Sequence, residues 1–326
     1  MFRLNLLFVL SFGLLASTSV HAQERPSNES ICDFYTTALL KNNTAENQYT
    51  LLTLVVNTAV IGNYTQPNVG IAVPGILAPG MQDGVAVDLL KYFNGSLMST
   101  NRGGMRASVN FLDDGGAAPL MQNKPANTNS SAQYFLLTHL YEMFGSLLGC
   151  SMQANNSAFP TYAGDASMYQ VHKFMNLSKP EMDYFITQVG LSAASFGVAT
   201  SDVMAVGMAL NSTFNQRCSP PTVVIQAQGE QLQAICINPA SCPLATNAVC
   251  ALYDEAATSM SPSGTAGAGG MSATASGTGA SMTMASGSPS AVPTAGSSAG
   301  NVLTVSSGVC ALLIASASAF GFALVL

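Results

Sequence analysis

The sequence predicts a mainly α fold, and three observations carry that prediction. Apolar residues recur at helical spacing through residues 134–218, capping residues stand where those runs begin, and glycine- and proline-broken sequence is gathered in one earlier stretch, 65–129. In 134–149, Leu136, His139, Leu140, Met143 and Leu147 fall on a single helical stripe. The next run, from near Asp165, repeats the pattern with Met168, Val171, His172 and Met175. Ser178, Lys179, Pro180 and Glu181 then form a capping box with proline in the first turn. It opens a third helix with Met182, Phe185, Ile186 and Val189, ending near Gly197. A fourth begins at Thr200, Ser201 and Asp202 and carries Val203, Val206, Leu210 and Phe214.

The flanking regions follow from composition. Residues 1–22 read as a secretory signal peptide: Arg3, an apolar run over 4–15, and small residues at Val20 and Ala22 for cleavage. An ectodomain over 23–255 follows. It starts with a short helix at 33–40 and a longer one at 47–61, apolar nearly all round and therefore buried. Pro67, Pro74 and Pro79 then break the pattern, and 107–112 reads as a strand entering a turn at Asp113, Asp114, Gly115 and Gly116. This loop-rich, partly β insertion either flanks the site as a flap or covers one side of the core. Residues 256–300 hold no charge and little beyond Ser, Thr, Gly, Ala, Met and Pro, which predicts a disordered, O-glycosylated stalk. The apolar tail at 301–326 has no basic residue after it. With small residues near Ser297 it reads as a GPI-anchor signal, a single-pass helix being the alternative.

Six cysteines remain after such processing: Cys32, Cys150, Cys218, Cys236, Cys242 and Cys250. An even count in a secreted chain implies three disulfides, with the pairing open. The last three predict a stapled C-terminal extension tied back to the core through Cys150, Cys218 or Cys32. Asn-x-Ser/Thr sequons stand at Asn28, Asn42, Asn63, Asn94, Asn129, Asn155, Asn176 and Asn211. Most fall between periodic segments, and Asn176 is expected to face solvent in the loop after the His172 helix.

His139 to Gly149, then Tyr162 to Gly164, Met168 to Lys173 and Phe196 to Val203 resemble the second half of a truncated haemoglobin of the group I type. In that family a distal helix ends in Gly-Gly and a Tyr-x-Gly turn follows. A Met-x-x-x-His helix then supplies the proximal haem ligand, and a Gly-Val turn joins two more helices. This chain keeps Met168 four residues before His172. It departs in having Gly149-Cys150 for Gly-Gly and extra residues before Tyr162. The resemblance covers 134–218, 85 of 326 residues. It implies a globin-like core with His172 as proximal ligand and His139 on the distal helix. There His139 would act as a sixth ligand or a hydrogen-bond donor to a diatomic gas, and Met143, Met168 and Phe185 would line the pocket.

The residues alone make the same pair conspicuous. Past the signal peptide, His139 and His172 are the only histidines, both on apolar stripes. Burying an imidazole without a partner costs about 1–3 kcal/mol. Haem is one answer to that cost, a transition metal shared by the two rings is another, and two hydrogen-bonded core histidines are the third. No Gly-x-Ser-x-Gly, His-Glu-x-x-His or phosphate-binding glycine loop is present. Asp113 and Asp114 sit in a glycine-rich turn, where a structural role is expected, and there is no tryptophan to stack a sugar. Net charge is −6 without a basic cluster, which excludes nucleic acid. The stalk-plus-anchor layout is similar to fungal cell-surface proteins, with cell-wall glycan as a further partner. The resulting expectation is a GPI-anchored, glycosylated, extracellular haem-binding protein, for which an enzymatic role such as peroxidase or NO dioxygenase would require a reductase partner or an oxidant. A structural or adhesive module on the same scaffold is the competing expectation.

Overall fold

Ser30 and Thr44 set the start of the first two helices. In the computed structural model, which describes residues 24–65 and 70–254, the Ser30 hydroxyl accepts from the Asp33 amide at 3.0 Å and opens α1, Ile31–Leu40. Thr44 does the same for Asn47 at 3.2 Å and opens α2, Ala45–Ile61. The expected signal peptide, the stalk and the anchor tail with Ser297 lie outside the described residues. Among the described residues no helix is long and apolar enough to cross a membrane.

Helix α2 is the central element. Leu51, Leu52, Val56 and Val60 are buried, and so are the amides of Gln48 and Asn57. Buried amides must be partnered, and both are. Gln48 accepts from the Met152 amide at 3.0 Å and donates to Asp33 at 2.7 Å. Asn57 accepts from the Tyr141 hydroxyl at 2.6 Å and donates to the Leu120 carbonyl at 3.2 Å. One helix thereby fixes three remote segments.

The insertion contains two small antiparallel hairpins and a helical turn. Strand β1, Gly80–Gln82, pairs with β2, Val85–Val87; β3, Thr100–Arg102, pairs with β4, Met105–Ala107; α3 is Ala117–Leu120. The strand expected over 107–112 is therefore displaced: β4 ends at Ala107, and beyond it an isolated bridge joins Asn110 to Asn94. The reason is local turn chemistry. Gly103 and Gly104, both at positive φ (60° and 87°), make the two-residue turn that centres the pairing. Asp113, by contrast, accepts from the amides of Ala132 and Gln133 at 3.1 and 2.9 Å, at the start of the next helix. Thr128 donates its hydroxyl to Asp114 at 2.8 Å. The aspartate pair is structural.

That next helix, α4, is Ala132–Leu148, capped by Ser131 at 3.0 Å from the Tyr134 amide. It ends in a Schellman turn. Gly149 is left-handed (φ 73°, ψ 43°), and the Cys150 amide donates to the Gly145 carbonyl at 2.9 Å. Helix α5, Met168–His172, is five residues, shorter than the periodicity over 165–175 predicts, and Val171 is on its exposed side. Helix α6, Lys179–Ser195, carries the expected capping box, with the Ser178 amide donating to Glu181 at 2.9 Å. Helix α7 is Thr200–Phe214, followed by a hairpin of β5, Thr222–Val223, and β6, Glu230–Gln231. Helix α6 packs on α7 and on α2, and α2 packs in turn on α4. The fold is helix-rich with little strand.

Three disulfides are formed: Cys32–Cys150, Cys218–Cys250 and Cys236–Cys242. The C-terminal extension is thus tied to the end of α7 through Cys218, while Cys32–Cys150 joins α1 to the end of α4. Seven of the eight sequon asparagines are exposed. Asn176 departs from the expectation: it is half-buried in a left-handed turn, φ 50°.

Loop length ranks the longest and the shortest cross-link. Cys32 and Cys150 are 118 residues apart, Cys236 and Cys242 only 6. Chain-entropy scaling gives about 5 kcal/mol for the first and about 2 kcal/mol for the second. Denaturant unfolding of the Cys32→Ala/Cys150→Ala chain should show roughly twice the loss of the Cys236→Ala/Cys242→Ala chain; equal losses would contradict the ranking.

Candidate functional site

A five-residue helix cannot hold itself together, so α5 is held from outside. Ser167 caps it, accepting from the Gln170 amide at 3.2 Å. The Leu232 carbonyl takes both the Ser167 hydroxyl at 2.8 Å and the Tyr169 amide at 3.2 Å. Gln233 accepts from the Met168 amide at 3.3 Å and donates to the Ala166 carbonyl at 2.9 Å. In the same first turn Tyr169 stacks edge-on against Tyr253, centroids 4.6 Å apart, and at the other end Lys173 pairs with Asp254 at 3.0 Å. The disulfide-stapled extension is what positions His172.

Within that frame His172 has one committed nitrogen. Its Nδ1 lies 2.8 Å from the Met168 carbonyl, one turn back, and as N–H donates to it. Its Nε2 has no hydrogen-bond partner among the described residues. The same ring lines an open cleft of about 570 Å³ together with His139, Leu136, Leu140, Met143 and Met168. His139 comes from the middle of α4 and meets the Tyr162 ring edge-on at 5.6 Å. Neither of its ring nitrogens has a hydrogen-bond partner among the described residues. Tyr162 is fixed by donating to the Asp165 carbonyl at 2.8 Å, and its ring lies where a Cβ of Gly164 would stand, so only glycine fits that turn.

The sequence-predicted residues are thus largely brought together. His139, His172, Met143 and Met168 share the cleft. Phe185 lies deeper: it lines an inner apolar cavity of about 140 Å³, whose walls also include Met143, Met168 and His172. A third, wholly apolar void of about 60 Å³ adjoins it through Leu140, Phe144 and Phe185.

Burial lowers the pKa of both histidines, and for His172 the bond to Met168 opposes part of that drop. Both rings are therefore neutral at pH 7, the form that ligates a metal. Among the described residues no group of three or more His, Cys, Asp or Glu side chains is gathered. Two imidazoles leave a bare metal ion short of the three or four protein ligands it ordinarily takes. Two is the number of axial positions on a haem iron.

No protein-family model, no curated protein and no solved structure matches this chain.

One residue beside the cleft escaped the sequence reading. Glu142 follows His139 by three residues on α4 and is only 7% exposed. Its carboxylate accepts from the Ala163 amide, but Oε2 has no partner among the described residues. Burial raises its pKa to about 7. A lone carboxylate one turn from a histidine was the available signal; its burial depends on the 151–165 loop and was not visible locally.

The signs of these shifts give a test. Between pH 4.5 and 7 folded Glu142 holds a proton that the unfolded chain has released, so its contribution is complete below pH 4.5 and lost as pH rises through 7. The lowered histidines act in the opposite sense, losing stability as pH falls below their ordinary 6.5. Glu142→Gln should therefore be neutral at pH 4 and stabilising by about 3 kcal/mol at pH 8 in urea unfolding. A gain that does not change with pH would refute the assignment.

Proposed function

We propose that the chain is a cell-surface haem-binding protein in which His172 is the proximal ligand and His139 serves the other side of the iron. One observation carries the reading. An imidazole that lines the cleft has one nitrogen tied to a backbone carbonyl and the other unpartnered among the described residues, and a second unpartnered imidazole lines the same cleft. Metal-binding histidines are characteristically oriented by such a bond through the second nitrogen. The residues fit the group in three further respects. The cleft of about 570 Å³ falls within the size of cofactor sites, its inner wall is Leu and Met, and both rings are held neutral. The likeness of residues 134–218 to truncated haemoglobins supports the same assignment, with α4 and α5 as distal and proximal helices of a globin-like core.

Bound haem supplies reversible ligation of a diatomic gas or one-electron exchange. The protein's part is to orient the His172 ring through Met168, to keep both imidazoles unprotonated, and to surround the macrocycle with apolar side chains. Within this proposal the protein acts outside the cell, held by a GPI lipid near Ser297, beside cell-wall glycan. The roles that fit are haem capture, redox chemistry, or the binding or sensing of O2 or NO.

The test is an absorption titration of the purified chain with ferric haem. A sharp Soret band saturating at one haem per chain is expected, abolished in His172→Ala with the thermal unfolding curve retained. His139→Ala should keep the Soret band and lose low-spin character. A flat titration would overturn the proposal and leave a helical surface scaffold.

A further inference from the structure

The inserted β3–β4 hairpin forms one wall of the histidine cleft, contributing Thr100, Asn101 and Arg102 to its lining. It is moored to the α5 region at two points. Asn101 donates its side-chain amide to the Gln170 carbonyl at 2.8 Å, and the Arg106 guanidinium lies 4.7 Å from the centroid of the Phe174 ring. The cationic side chains of this neighbourhood are otherwise committed: Arg106 to Phe174, and Lys173 to Asp254. Arg102 is exposed, forms no ion pair among the described residues, and is the only Lys or Arg lining the cleft. The one carboxylate in the lining, Asp165, is occupied locally, accepting from the Ser167 amide at 2.8 Å.

We infer that Arg102 recognises a carboxylate on the cleft's ligand, so that the hairpin selects an amphipathic, acid-bearing molecule and sets which edge faces outward. The inference rests on the haem reading, since haem is an apolar macrocycle with two carboxylates on one edge. The wall behind Arg102 is Leu136, Leu140, Met143 and Met168, which offers a carboxylate nothing. Burying a charge there is costly, so the acidic edge belongs at the rim. A guanidinium matches a carboxylate with two parallel N–H donors, which fixes orientation as well as adding affinity.

The experiment compares ferric haem with its dimethyl ester, whose carboxylates are blocked, on the full chain and on Arg102→Ala and Arg102→Lys. Arg102→Ala should weaken ferric haem by roughly five- to tenfold and leave the ester unchanged. Arg102→Lys should restore part of the difference, and circular dichroism should report the same fold throughout. Equal weakening of both ligands would overturn the inference and make Arg102 a support of the hairpin only. No weakening of either would remove Arg102 from the site. If the unmodified chain binds neither ligand, the haem reading falls and this inference with it.

Discussion

The cleft depends on a helix that the chain must hold in place from a distance. Helix α5 has little more than one turn, too few hydrogen bonds to offset the cost of its own nucleation. Its stability comes from residues 60 or more positions away: Leu232, Gln233 and Tyr253 at its start, Asp254 just past its end. Those residues belong to an extension with almost no regular structure, which is tied to the end of α7 by the Cys218–Cys250 disulfide and by the amides of Ile235 and Cys236 donating to the Phe214 carbonyl. A covalent bond in the extension is therefore linked, through the Leu232 carbonyl and the side chains of Gln233, Tyr253 and Asp254, to the placement of the helix that carries His172. The insertion completes the arrangement from the other side through Asn101. Two segments that look peripheral in the sequence are what place His172.

This also explains what could be read from the sequence. Helices α1, α2, α4, α6 and α7 were legible because their signals are local: Ser or Thr caps, a capping box, a glycine terminator and a stripe at helical spacing. Helix α5 was over-read because its stripe continues to Met175, whereas the chain after His172 turns. The Met175 amide bonds to the His172 carbonyl at 2.8 Å, and Lys173 and Phe174 are drawn to Asp254 and Arg106. Tertiary bonds decided that boundary. The same holds for the cysteine pairing, which spacing left open, and for Glu142, whose burial comes from a loop that sequence periodicity cannot position. The histidine pair itself was legible, since two histidines on apolar stripes in an ion-poor chain need partners. That both side chains line one cleft, with ring nitrogens unpartnered among the described residues, is a property only the structure shows.

The departure at Gly149-Cys150 acquires a physical role. Gly149 alone supplies the left-handed residue that ends α4, so the next position is free for another use. Cys150 uses it to bond α1 across 118 residues. At its start α4 is fixed by Ser131 and Asp113. His139, near the middle, therefore sits on a helix held at both ends and cannot slide along its axis.

The two histidine-bearing elements are thus secured independently, α4 by its caps and Cys32, α5 by the extension and the hairpin. No hydrogen bond among the described residues joins the two imidazoles to each other. The width of the cleft is set by the supports behind each wall and not by a contact across it. A ligand that enters breaks no hydrogen bond of either free nitrogen and orders little that is not already ordered, so the usual cost of organising a site falls mainly on folding. That division of cost is what a preformed binding cleft requires, and a core closed by mutual histidine contacts would not have it.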